Sequence, residues 1–561
     1  MSKYDGLENA DLIRLLERRD RERQLGLVWE RDDLESDQAV NDDFVALTLD
    51  ATLSHGDAPW DNLIIEGDNF DALRALRMTH AGRVRCIYID PPYNTGNRDF
   101  VYNDRFVDKT HRFRHSLWLE FMYRRLMLAR DLLSDDGVIF VSIDDNELFR
   151  LGMLMDRVFG VENKLACFAW QTDGNFDNQA KIKICHEYVL AYTPRPDLFP
   201  MPKVVDPNIG EDSKLHRPEI RNTIVKNGPK NPVCEIVLPA GFPATFESGS
   251  IAARQDKWPQ IDREIRVSNW RTEDSVVLKS GWANRGICQS FIDGGLMPIQ
   301  DSKGQATRFV LTESGAVENV KQRAEPSHVI SVLRNLGNTQ ADGAMLAEMG
   351  IAFTYPKPVS MIRYLLSIVD DKEAITLDFF AGSGTTAHAI AKLNREDGGR
   401  RRFILVSSTE TTIEEPDKNI CRDICAKRVR NVLAGYSTTK GANVKGLGGS
   451  FAYLRARRIP AHRISTRIEH AEVWSALQLL HEFPVSIYGK AALHSVRRDA
   501  LAMAYVAIDT EATNSSLSAW LAQVPHAQAV VYSWTPERYR HLAPEAAWSP
   551  IPDALRARFA R

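Results

Sequence analysis

The sequence predicts an α/β protein built on a mostly parallel sheet that helices cover on both faces. Short apolar segments such as 86–89 and 138–143 suit buried strands, and segments with helical spacing follow them. Strands that alternate with helices in this way favour a parallel sheet. Two of these strands, 86–89 and 374–378, run into turns that are rich in proline or glycine. Such turns are typical of ligand sites at the carboxyl edge of a sheet.

The size and charge of the chain limit the class of protein. A chain of 561 residues is too long for one hydrophobic core, so about three or four domains are expected. The 71 lysine and arginine residues nearly balance 74 acidic residues, and the formal net charge is -3. This balance argues against a protein that coats nucleic acid by bulk charge, but it leaves room for a local basic groove.

Neither a membrane segment nor a disulfide framework is expected. No apolar run approaches the ~18 residues that span a bilayer, and the first residues do not form a signal peptide, so we expect a cytoplasmic protein. The seven cysteines lack a regular spacing, which is typical of reduced thiols. Cys421 and Cys425 lie one helical turn apart without a second pair, which favours core packing over zinc.

A helical segment and a loop precede the first predicted strand. Residues 1–35 carry many charges and an apolar stripe, which predict one or two helices. Residues 36–60 contain Asp, Gly and Pro at turn positions and predict a loop. A strand over 62–66 then leads through a turn into a helix that starts near residue 70, and Asp68 stands where a helix cap is expected.

The strand over 86–89 ends abruptly at Asp90, because Pro91 and Pro92 each lack an N–H donor and fix φ. The carboxylate of Asp90 and the free carbonyl of Pro91 can accept hydrogen bonds from an exocyclic amino group, and Tyr93 can stack on a ring face. This set suits a planar heterocycle that carries an amino group. The alternative is a plain turn at the end of a strand with a buried tyrosine.

A polar segment with several cations follows the tetrapeptide 90–93. Residues 94–106 are polar and aromatic, and Lys, Arg and His residues cluster over 105–115. Phosphates attract the cations and unstacked bases attract the aromatic rings, so this segment is a candidate DNA-facing loop, with a solvated loop as the alternative. Acidic residues over 144–147 fit the end of a strand and the cap of the next helix, and we expect no metal there.

The strand over 374–378 enters a glycine-rich turn and then a helix. Gly382 and Gly384 permit close approach of the backbone to a ligand, and the helix N-terminus offers free N–H groups. Read as Gly-x-Gly-x-x-Ala, the turn also fits a dinucleotide site, and Glu410 lies at a spacing that suits one. The pairing of this turn with Asp90-Pro91-Pro92-Tyr93 argues against that reading.

At this point the chain resembles the β class of amino-group DNA methyltransferases, and within it the modification (Mod) subunits of type III restriction-modification systems. The segment 380–384 looks like the S-adenosylmethionine (AdoMet) loop of these enzymes, and the tetrapeptide 90–93 looks like their catalytic motif. The catalytic motif precedes the cofactor motif, which is the permuted order of that class. Further segments share the likeness, namely 62–69, 132–146, 186–190 and 355–358.

The resemblance implies a Rossmann-like AdoMet-dependent methyltransferase sheet with circularly permuted motif order, an inserted and mostly β target-recognition domain, and a small C-terminal α/β domain. The implied boundaries are 1–60 for the N-terminal helical segment, 61–195 for the catalytic half, 196–340 for the insertion, 341–440 for the AdoMet-binding half and 441–561 for the C-terminal domain. A glycine-rich linker over 441–450 marks the start of the last one.

The resemblance also implies which residues form the site. The catalytic residues are Asp90, Pro91, Pro92 and Tyr93, and the residues for the cofactor AdoMet are Asp68, Lys357, Asp378, Phe380, Gly382, Gly384, Thr385 and Glu410, with no metal. Lys357 is expected to pair with the AdoMet carboxylate, unless it is a solvated lysine. Glu410 is expected to hold the ribose hydroxyls. Asp68 lies near the cofactor in the family, unless it is only a helix cap.

The implied function is that of a site-specific, adenine-specific DNA methyltransferase, which moves the AdoMet methyl group to the N6 amino group of adenine in a restriction-modification or phage-defence system. Cytosine N4 methylation, RNA methylation and a DNA-recognition subunit of a larger nuclease complex stay open as alternatives. Double-stranded DNA with a flipped target base is the expected partner, together with an ATP-dependent helicase or nuclease subunit. A homodimer is also expected.

Overall fold

A computed structural model describes residues 13, 27–29, 41–96, 101–102, 105–106, 111–172, 181–301, 304–322, 326–411 and 417–559. The helices predicted over 1–35 lie outside the described residues, apart from 13 and 27–29. Residues 97–100, 103–104 and 107–110 of the candidate DNA-facing loop also lie outside them. The chain divides into a main unit, Met1–Pro202 with Val329–Arg561, and an inserted unit, Lys203–His328.

The first part of the main unit alternates strands and helices. Its strands are β1 Phe44–His55, β2 Leu63–Glu66, β3 Val84–Ile89, β4 Val101–Tyr102, β5 Arg105–Phe106, β6 Leu133–Ile143, β7 Lys164–Gln171 and β8 His186–Tyr192. Its helices are α1 Asn69–His80, α2 Arg114–Leu132 and α3 Leu148–Phe159. Every residue of β3 is buried, as its continuous apolar sequence predicts for a strand that is covered on both faces.

The inserted unit consists mainly of short antiparallel strands around its own core. The strands are β9 Glu219–Thr223, β10 Cys234–Leu238, β11 Gly249–Ile251, β12 Gln260–Ile261, β13 Ile265–Ser268, β14 Arg271–Thr272, β15 Val276–Ser280, β16 Ile299–Gln300, β17 Ala306–Leu311 and β18 Val317–Gln322. One α-helix, α4 Arg285–Asp293, is present among the described residues of this unit. The buried Phe242, Phe291 and Phe309 lie at the centre of its core.

The second part of the main unit returns to the large sheet and then forms a small one. Its strands are β19 Val332–Leu333, β20 Ile375–Asp378, β21 Arg402–Ser407, β22 Gly435–Ser437, β23 Asn443–Lys445, β24 Phe451–Ile459, β25 Leu493–Arg498, β26 Leu501–Val506, β27 Ala529–Ser533 and β28 Ala547–Pro550. Its helices are α5 Thr339–Glu348, α6 Val359–Ser367, α7 Thr385–Asp397, α8 Lys427–Ala434, α9 Ile464–Arg467, α10 His470–Leu480, α11 Glu511–Leu521 and α12 Asp553–Phe559.

Among the described residues, ten strands form the large sheet, in the order β1-β24-β2-β21-β20-β3-β6-β8-β7-β19. The strands from β24 to β6 run parallel to one another, and β1 and β8 run antiparallel to their neighbours in this set. The strand that carries the tetrapeptide precedes the strand that carries the glycine-rich turn in the chain, yet the two are neighbours in space. The predicted α/β class and the permuted order are confirmed.

The prediction of a loop over 36–60 is wrong for residues 44–55, which form β1. This strand pairs antiparallel with β24, with Phe44 opposite Ile459 and Asp50 opposite Tyr453. A strand that depends on a partner about 400 residues later in the chain has little local signal, because pairing and packing decide strand formation. Strand β24 also belongs to the large sheet, which differs from the expectation that residues 441–561 form a separate C-terminal domain.

Two other domain boundaries differ from the expectation of an insertion over 196–340. The inserted unit starts at Lys203 and ends at His328, and the backbones of Val205 and His328 form an isolated parallel bridge. Beyond it, β19 pairs with β7 in the large sheet, so the segment 329–340 belongs to the main unit.

The last part of the chain contains a small mixed sheet, as expected for an α/β segment. Strands β25-β26-β27-β28 form it, with β26, β27 and β28 parallel. Buried residues such as Tyr505 and Leu517 form its core on the two faces. Of the helices described in the structure, none has the length and apolar sequence that a membrane span requires.

We predict that Gly281→Ala unfolds the inserted unit, whereas Gly286→Ala does not. A Cβ atom at Gly281 would lie 2.4 Å from the Asn231 carbonyl oxygen and 2.7 Å from the Lys226 carbonyl oxygen, and neither backbone group can move freely. Overpacking of this kind typically costs about 1–3 kcal/mol or more.

Gly286 serves as the matched control, because a Cβ atom there meets nothing within 4 Å and the residue lies in α4. Its substitution should leave stability unchanged or raise it by about 0.4–1 kcal/mol. Thermal unfolding and limited proteolysis of both variants measure the effect. Equal melting temperatures for the two variants would contradict the close approach at Gly281.

Candidate active site

The tetrapeptide 90–93 and the glycine-rich turn lie at one edge of the large sheet. Strands β3 and β20 are parallel neighbours, and Ile87 pairs with Leu377. Because the carboxyl ends of parallel strands lie at the same edge, Asp90 after β3 and Asp378 at the end of β20 lie side by side. The sheet therefore assembles one site from segments that the inserted unit separates in the chain.

The backbone of the tetrapeptide is fixed on both sides. The Pro92 carbonyl accepts a hydrogen bond of 2.7 Å from the indole nitrogen of the buried Trp118 in α2. After Tyr93, the buried Asn94 adopts a left-handed conformation with a φ of 56°, which asparagine tolerates better than most residues. The Asn94 amide donates a 2.6 Å hydrogen bond to the buried carboxylate of Glu147.

A compact charged network surrounds Asp90. The ammonium nitrogen of Lys357 lies 3.3 Å from Oδ1 of Asp90 and 2.7 Å from Oε2 of Glu187. The same nitrogen donates a 2.6 Å hydrogen bond to the Tyr93 hydroxyl, and that hydroxyl donates a 2.9 Å hydrogen bond to Glu187. Only 11% of the Lys357 side chain is exposed, so water screens these interactions weakly.

One acceptor in this network has no hydrogen-bond donor from the protein. Oδ1 of Asp90 is buried and accepts no well-aligned hydrogen bond, although Lys357 lies close to it as an ion-pair partner. Buried acceptors are nearly always satisfied, and those that are not commonly belong to functional sites. The Asp90 side chain as a whole is 28% exposed, so its carboxylate can also accept a hydrogen bond from the amino group of a bound heterocycle.

Burial and neighbouring charge act on Asp90 in opposite directions. Burial raises the pKa of the Asp90 carboxyl, Lys357 lowers it, Glu187 raises it again, and the net direction is upward. For Lys357, burial lowers the pKa, but the two carboxylates outweigh burial and the net direction is also upward. The ammonium is therefore charged at neutral pH and stands between two carboxyl groups.

Glu187 is a member of this network that the sequence-based site did not include. It lies on β8, where the next residues toward Tyr192 become fully buried. The segment 186–190 was part of the family likeness, but only the pairing of β8 with β6 and β7 brings its carboxylate toward Lys357. The sequence signal is an acidic residue at the start of an otherwise apolar strand.

The glycine-rich turn starts α7 in a form that suits a ligand. Gly382 and Gly384 have φ values of 49° and 77°, in the left-handed region that favours glycine. Gly384 is the N-cap residue of α7, and no side chain caps the helix there. The first N–H groups of such a helix have no acceptor within the helix. They are available to an anionic ligand group.

The buried side chain of Asp378 connects the end of β20 to the glycine-rich turn and to the start of α7. Its buried carboxylate accepts hydrogen bonds from the Phe380 N–H at 3.1 Å and from the Thr386 hydroxyl at 2.5 Å. Burial raises the pKa of Asp378 to about 7, the two hydrogen bonds oppose this rise, and repulsion from Asp90 adds to it. The side chain of Asp378 thus fastens the strand end to the helix start, and a role toward the cofactor stays a prediction.

Arg428 in α8 supports the turn from beneath and was also absent from the sequence-based site. Its fully buried guanidinium donates hydrogen bonds to the hydroxyls of Ser383 at 2.8 Å and Thr385 at 2.7 Å. Burial lowers the pKa of Arg428 to about 10, and the nearby Asp342 opposes this fall. The hydroxyl of Thr385, a predicted cofactor residue, is therefore already bound by the protein.

Two further predicted cofactor residues lie beyond neighbouring strands at the same edge. Asp68 follows β2 and caps α1, since its Oδ1 accepts hydrogen bonds from the N–H groups of Phe70 and Asp71. Its Oδ2 pairs with the buried Arg125 at 3.2 Å. Glu410 follows β21 and pairs with Lys418 at 3.4 Å. The cap is thus shown for Asp68, and cofactor contacts of Asp68 and Glu410 stay predictions.

A parallel sheet that carries the tetrapeptide Asp90-Pro91-Pro92-Tyr93 and a glycine-rich turn at one carboxyl edge is the arrangement of a Rossmann-like methyltransferase. The chain belongs to the family whose model is described as DNA methylase, because residues 84–418 match that model and make up more than half of the chain. The family that the sequence motifs predicted is therefore confirmed.

Several relatives are named as Mod subunits. The chain is 32% identical over 424 residues to the type III restriction-modification enzyme StyLTI Mod subunit of Salmonella typhimurium, with coverage of 69% of this chain and 59% of the relative. It is 31% identical over 427 residues to the EcoPI Mod subunit of Escherichia phage P1, with 69% and 64% covered. It is 52% identical over 448 residues to the "Probable type III restriction-modification enzyme HindVI Mod subunit" of Haemophilus influenzae, with 71% and 54% covered. The chain thus spans about 60% of the length of these relatives.

We predict that Gly384→Ala disrupts the turn, whereas Gly398→Ala does not. Both residues flank α7 with positive φ, 77° and 68°, so both substitutions carry a backbone strain of about 1–2 kcal/mol. At Gly384 a Cβ atom would also lie 3.1 Å from Val429 Cγ2 and 3.2 Å from Cys425 Sγ, whereas at Gly398 it meets nothing within 4 Å.

The readouts for this pair are the melting temperature and the thermal shift caused by AdoMet. Gly398→Ala should lose melting temperature and keep the shift, while Gly384→Ala should lose more melting temperature and also the shift. A ligand shift of normal size in Gly384→Ala would show that the turn tolerates a side chain there.

A pH effect on stability should follow from Asp378. Its folded-state pKa is about 7 and its ordinary value is 3.8, so the folded protein holds a proton on this group in a range where the unfolded chain has lost it. The contribution of Asp378 to stability therefore falls as the pH rises from about 4 to about 7. Asp378→Asn removes this titration.

Thermal unfolding of wild type and Asp378→Asn at several pH values checks the effect. The melting temperature of Asp378→Asn minus that of wild type should increase as the pH rises from about 4 to about 7. A difference that stays constant with pH would contradict the raised pKa, whatever the variant does to stability as such.

Proposed function

We propose that this chain is a site-specific DNA methyltransferase that uses AdoMet and modifies the N6 amino group of adenine. The observation that carries the proposal is the partly exposed carboxylate of Asp90, held by Lys357 at the edge where the glycine-rich turn also lies. The membership of the DNA methylase family supports it. DNA as the substrate and N6 as the methylated atom rest on the family and on the tetrapeptide Asp90-Pro91-Pro92-Tyr93.

The residues of the turn fit AdoMet. The uncapped start of α7 and the positive-φ glycines Gly382 and Gly384 allow close approach of a ligand, and Phe380 is partly exposed beside them. Glu410, beyond β21, would hold the ribose hydroxyls. When bound, the cofactor supplies a methyl group on a positively charged sulfur.

The protein's own contribution is to hold and polarise the target amine. The base must leave the duplex to reach the pocket, because the amino group is not accessible to such a site within a stacked helix. Asp90 and the Pro91 carbonyl would accept hydrogen bonds from the amine, which makes its nitrogen lone pair more available, and the Tyr93 ring would support the base. The amine nitrogen would gain the methyl group as the methyl C–S bond breaks, which leaves the cofactor as a neutral thioether, and one amine proton would pass to water. Positioning and charge stabilisation account for catalysis.

We also propose that the chain works as the modification subunit of a restriction-modification system. Its relatives are named as Mod subunits of type III restriction-modification enzymes. No Gly-x-x-x-x-Gly-Lys-[Ser/Thr] motif occurs in the sequence, so ATP-driven activity would come from a partner subunit. A homodimer and a cytoplasmic location are part of the same proposal.

We predict that Asp90→Ala abolishes methyl transfer and leaves AdoMet binding intact. The carboxylate lies in the base pocket and not in the glycine-rich turn, and loss of one group that stabilises developing charge typically costs about 100- to 1000-fold in rate. Asp61→Ala is the control, because Asp61 is exposed and lies before β2, at the opposite edge of the sheet. The control should keep full activity.

Transfer of a labelled methyl group from AdoMet to DNA and to RNA measures the activity, and calorimetry measures AdoMet binding. Mass spectrometry of the product nucleosides separates N6-methyladenine from N4-methylcytosine. Turnover near that of wild type in Asp90→Ala would contradict the role of this carboxylate. Methylation of RNA alone would overturn DNA as the substrate.

A further inference from the structure

The ammonium group of Lys357 makes two hydrogen bonds and an ion pair beside the tetrapeptide 90–93. An ammonium group has three N–H donors. Two of them serve Glu187 and Tyr93, at 2.7 Å and 2.6 Å, and the nitrogen also lies 3.3 Å from Asp90. The aromatic rings of Tyr93 and Trp170 lie 4.6 Å and 5.8 Å from the same nitrogen and favour its charge.

These contacts differ from the predicted pairing of Lys357 with the cofactor carboxylate. Glu187, Tyr93 and Asp90 surround the ammonium, so the described contacts of Lys357 are with the tetrapeptide 90–93 and with β8. Pro356 and Pro358 fix the backbone on either side of Lys357 just before α6, so the side chain enters the pocket from a rigid segment.

We propose that Lys357 and Glu187 are positioning residues for Asp90, with Lys357 keeping the Asp90 carboxylate ionised and oriented and Glu187 anchoring both Lys357 and the Tyr93 hydroxyl. The proposal deepens the function proposed above and rests on it, since Asp90 matters as the acceptor for the target amine. It assigns a role to Glu187, which lies in the family-like segment 186–190 but is not among the predicted site residues.

The charges around Asp90 come from several elements. Lys357 precedes α6, Glu187 lies on β8, and Tyr93 follows Asp90 directly. Other titratable groups that act on this network are Tyr88 on β3, Asp378 on β20 and Asp144 after β6. Among the described groups named in this paragraph, Lys357 alone carries a positive charge, and the others are acidic.

The two substitutions should therefore act on Asp90 with opposite signs. Burial and Glu187 raise the pKa of Asp90, and Lys357 lowers it. Removing the lysine charge leaves Asp90 protonated up to higher pH, whereas removing the glutamate charge leaves it ionised down to lower pH. An opposite charge at this distance typically shifts a carboxyl pKa by about 1–3 units. A purely structural role for either residue would lower activity equally at all pH values.

The test measures kcat/KM for methyl transfer to DNA as a function of pH in four variants. The acidic limb of the kcat/KM–pH profile should move to higher pH by about one unit or more in Lys357→Met and to lower pH in Glu187→Gln. Lys357→Arg should keep the limb near that of wild type, because the charge remains. Lys440→Met is the control, since Lys440 forms an exposed ion pair with Glu348 at 3.0 Å.

Two further measurements make the outcome independent of activity. Infrared difference spectra between wild type and Asp90→Asn follow the ionisation of Asp90 directly as the pH changes, in the wild-type, Lys357→Met and Glu187→Gln backgrounds. Calorimetry of AdoMet binding shows whether Lys357→Met keeps the wild-type affinity, as the proposal requires.

Shifts of the Asp90 titration in opposite directions would support the proposal even if no DNA methylation were found. The absence of methylation would then count only against the proposed function. Unshifted titrations with methylation intact in wild type would overturn the positioning role. A large loss of AdoMet affinity in Lys357→Met would return the lysine to the cofactor and would also overturn it.

Discussion

The parallel pairing of β3 with β20 is the constraint on which the site depends. The residues after β3 supply the pocket and the residues after β20 supply the turn, and neither is complete alone. Hydrogen bonds between neighbouring parallel strands fix both the direction and the register of the two segments, with Leu377 opposite Ile87. A helix or loop contact in the same place would allow more movement between the two halves of the site.

Burial of charge explains the architecture around this edge. Removing an ionised group from water is costly, so buried ions persist where partners surround them. Lys357 lies among Asp90, Glu187 and Tyr93, and Arg428 holds the hydroxyls of Ser383 and Thr385 below the turn. These groups stabilise one arrangement of the tetrapeptide and of the turn, and they leave the Asp90 side chain partly exposed.

The inserted unit shows how the chain can be interrupted without loss of the sheet. Its first and last residues are close together, as the bridge between Val205 and His328 shows, and it has its own core around Phe291. This arrangement is consistent with the permuted order, in which the pocket half precedes the turn half.

The sequence by itself determined the fold class, the family and the two segments of the site, because these rest on local signals. The prolines after Asp90 end a strand wherever they occur, and Gly382 and Gly384 supply positive φ without any partner. Only the tertiary structure decided the rest. It made a strand of residues 44–55 by pairing them with β24, paired Asp68 with Arg125, and brought Glu187 to Lys357. These outcomes depend on contacts between segments far apart in the chain, and the distances and burial that create them do not exist until the sheet has formed.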